Sequence, residues 1–425
     1  MCGSHKTCTS RQQDSLIGNN RAPNRGIKRT KYFCLGFFLS TLICFTSLGL
    51  SHFLWKSFEH FKRPAELCEK KLVGFFRLSY PGNLTETQLL KFTHVIFSSF
   101  LFSEKERKII FQETGNEPIF RTMLARASRY ELMKMFDLRN LNPLMISMYG
   151  SIIVEDITFL VKHHELDGVN IDWPAPKTDA DKENLIQFCE SVRASLNRLT
   201  DTAKIKRPFV ISMTCPETEE TMDFERLWKS VDFLNLDVSH FYVPWHPYDR
   251  NRLTGPASPL YLGHTNETEK NVNHTIGHYS CITQKPNRLV MCIAASGRFW
   301  KNVIPPKDPN DTLWMIAETY NNWVDQGWSA WRDLKRNNWN ISSAQWSNET
   351  MTPYIWDAKA RNQYHFENER SLEEKVKFAI EHNIGGVGVL GTSEDDDEDT
   401  LLNVFAKGGL CPRMYDISVK YNCVA

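Results

Sequence analysis

The sequence predicts an α/β fold: a (β/α)₈ TIM barrel with a small subdomain inserted before strand eight, preceded by one transmembrane helix. Short apolar runs alternate with helix-like segments through residues 71–410, and eight strands alternating with helices over this length fit a (β/α)₈ barrel. Eight of the twelve tryptophans fall within residues 300–356, where the alternation breaks. Residues 32–55 contain no Lys, Arg, Asp or Glu, as a membrane span requires.

The eight predicted strands are short, and several are almost continuously apolar, which is typical of parallel strands covered by helices on both faces. They are Leu72–Phe76, His94–Phe100, Pro143–Met148, Gly168–Trp173, Phe209–Met213, Phe233–Val238, Leu289–Ala295 and Gly386–Leu390. Helical segments lie between them; in Lys182–Leu199 apolar residues recur at three- and four-residue spacing. A doubly wound open sheet shows the same alternation, so periodicity alone leaves that alternative open.

The region 300–356 holds more sequence than a strand-to-helix loop needs, and its tryptophans show few helical repeats. We therefore predict a small Trp-rich subdomain inserted before the last strand. The acidic run Glu394–Asp399 follows that strand. No metal-ligand spacing accompanies the run, so it is interpreted as a solvated loop, and neither a metal nor a cofactor is expected.

The N-terminal residues predict a signal-anchor. Residues 1–31 carry seven basic side chains and one acid, and residues 32–55 would rise roughly 36 Å as a helix. A buried core helix or a cleaved signal peptide is the alternative, but no small-residue cleavage site follows the apolar run. Because basic residues favour the cytoplasmic side, we expect a single-pass type II protein with a cytoplasmic tail 1–31. The span 32–55 would contact the lipid bilayer. A connector 56–70, the barrel 71–410 and a C-terminal tail 411–425 would be lumenal or extracellular.

Glycosylation sequons and cysteines agree with that orientation. Six N-x-S/T sequons lie beyond the span and none before it, at Asn83, Asn266, Asn273, Asn310, Asn340 and Asn348. Seven cysteines also follow the span, with spacings that fit no metal motif, so disulfides are the expected state. The chain carries +1 overall and its first 31 residues +6, which leaves −5 for the rest. Binding of nucleic acid by the folded part is therefore not expected.

The string LDGVNIDWPAP, residues 166–176, carries the most chemical information. In a strand, Gly168, Asn170, Asp172 and Pro174 point to one face. Active sites of (β/α)₈ barrels lie at the C-terminal ends of their strands. The sequence thus predicts a polar ladder inside the barrel that ends near its mouth.

This string resembles the DGxDxDWE signature on strand four of glycoside hydrolase family 18 chitinases. LVGFF, THVIFSSF and ISMYG resemble the first three strands, ISMYG matching an S-x-G-G block; TGPASPLY, AASGR, TPYIWD and SLEEKVKFAIEHNIGGVGVL resemble later blocks in the same order. The resemblance covers about residues 71–406, and the anchor makes the chain most similar to nematode chitinase-like proteins. It implies a reaction in which a glutamic acid protonates the glycosidic oxygen and the substrate's own N-acetyl oxygen attacks.

The resemblance also implies that the catalytic residues are missing. Asp167 and Asp172 match the first and third aspartates of the signature, but Asn170 replaces the second. Pro174 occupies the position of the catalytic acid. Proline has no titratable group, so no residue at this position can act as a general acid. The chain is therefore predicted to be catalytically inactive.

Other positions of the cleft differ as well. Ser239 and His240 replace a Tyr-Asp pair on strand six, and His240 is interpreted as filling a core position. Tyr149 is expected at the barrel mouth in place of a glycine, and Leu390 stands in place of a substrate-floor tryptophan. Five side chains match or neighbour family positions near the cleft and are candidates for sugar binding, although packing roles explain them equally well: Trp173, Arg298, Trp300, Tyr354 and Trp356.

The leading functional prediction is a non-catalytic chitinase-like protein that binds chitin or N-acetylglucosamine oligomers on the lumenal or extracellular side of a membrane. A protein-interaction scaffold with a closed cleft is the alternative from another class, and the residues at 149 and 390 favour it. A divergent, weak chitinase is the third reading, and Pro174 opposes it.

Overall fold

The computed structural model describes most of the chain beyond residue 69. It describes residues 70–80, 82–172, 176–203, 207–215, 222–243, 252–264, 267–320, 323–334, 336–337, 339–407, 410, 421 and 423. The predicted cytoplasmic tail 1–31, the span 32–55 and nearly all of the connector 56–70 lie outside these residues, as does most of the tail 411–425.

Eight parallel strands form a closed barrel. The strands of the described residues are β1 Lys71–Arg77, β2 His94–Ser103, β3 Lys108–Phe111, β4 Met133–Arg139, β5 Gly168–Asp172, β6 Val210–Cys215, β7 Phe233–Asp237, β8 Leu289–Ala294, β9 Ser296–Trp300, β10 Thr319–Tyr320, β11 Trp323–Val324, β12 Gln326–Ala330, β13 Gln345–Ser347, β14 Thr352–Asp357, β15 Asn362–His365 and β16 Gly386–Leu390. The barrel order is β1-β16-β8-β7-β6-β5-β4-β2, and β1 closes it by pairing with β2. This closure excludes the doubly wound sheet that periodicity left open.

The third predicted strand is wrong, whereas the other seven predicted runs overlap barrel strands. Pro143–Met148 begins a helix instead, because the Asn142 side chain accepts a hydrogen bond from the Met145 N–H and Pro143 stands in the first turn. Proline there needs no amide hydrogen, so Asn-Pro is a helix start signal. The true strand is β4, where Lys134 and Asp137 interrupt the apolar pattern.

Helices cover the outside of the barrel. They are α1 Glu86–Leu89, α2 Asn116–Ala127, α3 Pro143–His163, α4 Asp179–Ala203, α5 Phe224–Leu227, α6 Val272–Thr283, α7 Glu369–Glu381 and α8 Thr400–Lys407, with 3₁₀ turns at Pro286–Arg288, Trp331–Asp333, Ile341–Ser343 and Thr392–Glu394. Among the described helices, α3 is long and apolar enough to cross a membrane, with a mean hydropathy of 1.6. Its Ile153, Ile157 and Val161 are buried in the barrel core. One face of α3 therefore packs against the barrel, whereas Leu144, Met148 and Phe159 of the same helix are exposed.

The core has two layers, as expected for a barrel whose interior is filled by side chains. Inside the barrel, Val73, Ile96, Met135 and Val290 form part of a small apolar cluster. A much larger cluster lies between the strands and the helices and includes Phe76, Phe97 and Phe136. The lower part of the barrel interior is thus filled largely by apolar side chains.

An antiparallel sheet of five strands, ordered β12-β9-β15-β14-β13, separates β8 from β16. It spans Ser296–His365, a stretch that contains most of the region predicted as a Trp-rich insertion. Two apolar clusters sit on it, one around Trp300 and Met315 and one around Trp339 and Phe366. The tryptophans of this region therefore build a small core for the inserted sheet.

The acidic run Glu394–Asp399 is not the solvated loop that the sequence suggested. The Asp395 carboxylate accepts hydrogen bonds from the N–H groups of Leu401 (3.2 Å) and Leu402 (2.8 Å) at the start of α8. Asp399 forms an ion pair with Lys91 at 2.6 Å. The interpretation failed because carboxylates satisfy the free N–H groups of a helix N-terminus, a structural role for clustered acids.

A disulfide joins Cys281 of α6 to Cys423 near the C-terminus. Tyr421, two residues before Cys423, donates a hydrogen bond of 2.7 Å to the carbonyl of His382. Both contacts attach the end of the chain to the helical layer. Cys189, Cys215 and Cys292 are buried.

Candidate functional site

The polar ladder of β5 lies in the upper half of the barrel and is tied to both neighbouring strands. Asn170 is fully buried and donates hydrogen bonds to Asp137 of β4 (2.7 Å) and to Thr214 of β6 (2.9 Å). Its carbonyl oxygen accepts from Ser212 (2.7 Å) and Asn235 (3.0 Å). The amide thus makes four hydrogen bonds, as many as an asparagine side chain can. This uncharged side chain therefore links β4, β5, β6 and β7 through hydrogen bonds, and the four residues around it form the junction of these strands.

Arg139, at the C-terminal end of β4, occupies the space above this junction. Its Nε lies 3.4 Å from an Asp172 oxygen and 3.8 Å from an Asp137 oxygen. Burial and the Asp137 charge raise the pKa of Asp172 to about 6, and the arginine opposes that rise. Burial also raises the pKa of Asp137, against the effects of Arg139, Asn170 and Ser98. One guanidinium therefore balances two buried carboxyls.

Ser239 and His240 follow β7 and form a second cluster with Asp237. The Asp237 carboxylate accepts from the Ser239 hydroxyl at 2.7 Å, and His240 Nδ1 lies 3.0 Å away. Burial alone would raise the pKa of Asp237, but His240 and Ser239 outweigh it and lower that pKa to about 2. His240 was expected to fill a core position; its side chain is 32% exposed and pairs with this carboxylate.

These two clusters define what the barrel mouth can do chemically. A glycosidase needs a proton donor beside the leaving oxygen, and Asp237 remains ionised down to pH about 2. Asp172, the carboxyl with the raised pKa, is paired with Arg139. Trp173 and Pro174 lie outside the described residues, but proline at 174 offers no proton in any conformation.

A third cluster closes the space between β1, β16 and the inserted sheet. Arg77 ends β1 and lies 3.0 Å from a carboxylate oxygen of Glu394, a fully buried residue. Arg298 of β9 is also buried and adds a second positive charge beside Glu394. Burial lowers the pKa of Arg298 to about 10 and raises that of Glu394. The arginine of the AASGR block therefore joins the insertion to the barrel top and is not exposed to a ligand.

The remaining sugar-binding candidates lie in the core of the inserted sheet. Trp300 is 1% exposed and Tyr354 is 7% exposed, and the Tyr354 hydroxyl lies 3.0 Å from that of Thr312. Trp356 is half-buried against the cluster around Trp300. Neighbouring rings already occupy the faces of these side chains, so stacking in a cleft is not available to Trp300 and Tyr354.

Tyr149 does not lie at the barrel mouth, contrary to expectation. It belongs to α3, and its ring packs 5.4 Å from that of Phe102. The misplaced third strand caused this error, because the S-x-G-G block was assigned to residues that form a helix. Leu390 does end β16 and packs against the inner apolar cluster.

An exposed aromatic pair on the rim was missed by the sequence analysis. Tyr80 follows β1, Trp328 lies on β12, and their ring centroids are 5.6 Å apart. Trp328 is 40% exposed, and the Tyr80 hydroxyl donates to Asp333 at 3.1 Å. These residues are about 250 positions apart in sequence. No local sequence pattern predicts that these two rings meet, although the high number of tryptophans in the insertion was a partial indication of aromatic contacts there.

The cavity between this site and the insertion is very small. It has a volume of about 10 Å³, roughly one water molecule, and its lining includes Ser239, Ser258 and His365. His365 is buried without a hydrogen-bond partner among the described residues, and burial lowers its pKa to about 3. Typical ligand pockets are at least thirty times larger, on the order of 300 Å³. This cavity can hold a solvent molecule and no sugar.

Five of the six sequons lie in the described residues, and all five asparagines are exposed: Asn83, Asn273, Asn310, Asn340 and Asn348. Asn266 lies outside them. No cluster of His, Cys, Asp and Glu that could hold a metal ion occurs within the described part of the chain.

Comparison with known proteins agrees with the barrel. Residues 71–395 match the family model described as Glycosyl hydrolases family 18. Human chitinase-3-like protein 2 is 20% identical over 340 residues, which cover 74% of this chain and 83% of that protein. Probable chitinase 2 of Drosophila melanogaster is 21% identical over 267 residues, 58% of this chain and 52% of the fly protein.

Solved structures show the same fold. A family 18 N-acetylglucosaminidase from Paenibacillus barengoltzii has a TM-score of 0.67 at 18% identity, covering 80% of this chain and 99% of its own. The class V chitinase of Nicotiana tobaccum, solved with NAG4, has a TM-score of 0.67 at 14% identity and covers 80% and 98%. Human YKL-39, described as a pseudo-chitinase with retained chitooligosaccharide binding, has a TM-score of 0.66 at 17% identity and covers 80% and 99%. Because the family model spans well over half of the sequence, the chain belongs to glycosyl hydrolase family 18.

Proposed function

We propose that this chain is a non-catalytic member of family 18 that binds N-acetylglucosamine oligomers at the rim of its barrel. The observation that carries the loss of catalysis is the pairing of Arg139 with Asp172 at 3.4 Å. The Arg139 guanidinium opposes protonation of Asp172, which stands two residues before Pro174 in the sequence. Proline has no proton to give, so position 174 itself offers no donor for the leaving oxygen.

Two observations support sugar binding on the rim. Trp328 and Tyr80 present adjacent rings, and the Asp333 carboxylate beside them can accept hydrogen bonds from hydroxyl groups. Among the structural relatives, human YKL-39 retains chitooligosaccharide binding as a pseudo-chitinase, and the tobacco chitinase was solved with NAG4. Binding without turnover therefore has a counterpart in the same fold.

The disulfide and the sequons support a position outside the cytosol. Disulfides persist in oxidising compartments, and Cys281 is joined to Cys423. Every described sequon asparagine is exposed and thus accessible to glycosylation. With residues 32–55 as a signal-anchor, the barrel would lie on the lumenal or extracellular side of the membrane as a type II glycoprotein.

Calorimetric titration of the full-length protein in detergent with chitohexaose tests the binding proposal, with the recovered sugar checked for cleavage. We expect binding without cleavage and at least a tenfold loss of affinity in Trp328→Ala. Trp346→Ala is the matched control, since this tryptophan also lies on the inserted sheet but Arg370 covers its ring at 3.8 Å. Equal affinities of the Trp328 variant and the wild type would contradict the rim site. Cleaved sugar would contradict the loss of catalysis.

The second candidate is a protein-interaction scaffold, favoured by the small size of the cavity beside Ser239 and His365, about 10 Å³. It predicts that the titration shows no heat of sugar binding at any accessible concentration. In that case the barrel was retained for its surface, and Trp328, as the exposed tryptophan of the rim, would be the first residue to test in a protein contact.

A further inference from the structure

One glycosylation sequon lies beside the aromatic pair of the rim. Asn83 is exposed and follows Tyr80 by three residues in the loop between β1 and α1. Three Cα–Cα steps separate the two residues by at most about 11 Å. Thr85, the third residue of the same sequon, caps α1 by accepting a hydrogen bond from the Gln88 N–H at 3.1 Å. The loop is therefore held on both sides of Asn83, by β1 and by the helix cap.

The aromatic pair is fixed before any ligand arrives. Hydrogen bonding to Asp333 holds the Tyr80 hydroxyl at 3.1 Å. Arg77 lies over the Trp328 ring, its Cζ 5.9 Å from the ring centroid. Trp328 itself stands on β12, which pairs with β9 in the inserted sheet. A ligand that stacks here meets rings whose orientations are already set, which lowers the entropic cost of binding.

The chemistry of an N-linked glycan matches this surface. Its first two sugars are β1,4-linked N-acetylglucosamine residues, the same disaccharide unit as in chitin. A glycan on Asn83 thus places a short chitin-like segment next to rings that suit the flat faces of such sugars. Because the attachment is covalent, its effective concentration at the rim is in the millimolar range. At this effective concentration the attached glycan can occupy even a weak site without free oligosaccharide.

We propose that the Asn83-linked glycan core docks on Tyr80 and Trp328 and occupies the rim site as a built-in ligand. This inference rests on the proposed function in two respects: the lumenal position of the barrel, and sugar binding by the aromatic pair. The docked core competes with free chitin oligomers, so the glycosylated protein binds them more weakly than a protein without this glycan.

Asn348 provides a contrast within the same molecule. It is also an exposed sequon near a tryptophan, two residues after Trp346. The guanidinium of Arg370 covers the Trp346 ring at 3.8 Å, and the Trp346 Nε1 is buried. One face of the ring beside Asn348 is therefore already covered by a charged side chain. Variants at Asn348 control for general effects of removing one glycan.

Two measurements on the full-length glycoprotein from insect cells test the inference. The first is the affinity for chitotetraose of wild type, Asn83→Gln and Asn348→Gln. We expect the Asn83 variant to bind at least tenfold more tightly and the Asn348 variant to match the wild type. The second is the rate at which peptide N-glycosidase releases each glycan from the native protein, resolved by mass spectrometry. We expect release at Asn83 to be at least fivefold faster in Trp328→Ala than in the wild type, and release at Asn348 to be unchanged.

The two measurements separate this inference from the proposed function. If both variants bind chitotetraose like the wild type, the rim binds sugar and the docking of the glycan is overturned. An Asn83 that carries no glycan overturns it as well. If no form binds chitotetraose, the release rate decides: equal rates in wild type and Trp328→Ala overturn the docking. Faster release of the Asn83 glycan in Trp328→Ala would support the docking. The proposed binding of free oligomers alone would then be contradicted.

Discussion

The Nε atom of Arg139 lies 3.4 Å from the carboxylate of Asp172, at the point where the polar ladder of β5 reaches the mouth of the barrel. Arg139 also lies 3.8 Å from Asp137, so a single guanidinium, 47% exposed to solvent, faces two carboxyls. Arg139 therefore supplies positive charge beside both carboxyls at the end of the ladder.

Asp172 should make the protein less stable as the pH rises. Burial and Asp137 raise its folded-state pKa to about 6, above the value of an unfolded aspartate. The folded state then binds more protons between about pH 4 and pH 6, so the unfolding free energy falls over this range. We expect Asp172→Asn to remove about 2 kcal/mol of this decrease, measured by urea unfolding at pH 4.5 and pH 7.

Asp179→Asn is the control for that measurement, because Asp179 is fully exposed in the first turn of α4. Its stability should follow the wild type at both pH values. An Asp172 variant whose pH dependence equals that of the wild type would show that Arg139 already fully compensates the buried charge.

Restoring an aspartate at position 170 should destabilise the barrel. Asn170 donates to Asp137 at 2.7 Å, and Asn170→Asp would place two carboxyls at that distance. One of them must then be protonated, which costs about 2–4 kcal/mol at pH 7 and less at pH 5. Urea unfolding at both pH values measures this difference, and Asn197→Asp on the exposed face of α4 is the neutral control. Equal stability at pH 7 would mean that the junction around Asn170 adapts to a second charge.

Restoring the catalytic glutamate should not restore activity. In Pro174→Glu the acid position regains a carboxyl, but Asn170 is still neutral and Arg139 still holds Asp172. Ser239 also remains bonded to Asp237, where the family has a tyrosine. We expect no release of fluorophore from a chitobiose or chitotriose glycoside above the wild-type blank. Turnover by this single variant would show that the other substitutions matter less than their contacts indicate.

Removing the disulfide should lower the thermal stability. Cys281 and Cys423 are 142 residues apart, so their bond restricts a large loop in the unfolded chain. We expect Cys423→Ser to lose about 2–5 kcal/mol, visible as a lower Tm in differential scanning calorimetry. Reducing agent should lower the wild-type Tm at least to that of the variant. A variant with the wild-type Tm would mean that the Tyr421 contact alone holds the C-terminus.

The sequence predicted the barrel strands well where the residues of one strand were enough to identify it. Seven of the eight predicted runs overlap barrel strands, and several of them are almost continuously apolar. The third predicted strand was wrong, and the true strand β4 was missed. There Lys134 forms an ion pair with Asp167, and Asp137 accepts a hydrogen bond from Asn170 of the neighbouring strand. Those polar residues are compensated only by partners on another strand. A pattern read along one segment cannot show that compensation.

The sequence by itself determined the family resemblance, the absence of a titratable group at Pro174 and the replacement of an aspartate by Asn170. These depend only on the identity of the residue at a motif position. Only the tertiary structure decided that Arg139 neutralises the barrel mouth, that Trp300 lies in the core of the insertion, and that Tyr80 meets Trp328 on the rim. The physical reason is distance: burial, charge pairing and ring contacts depend on which distant segments the closed barrel brings together.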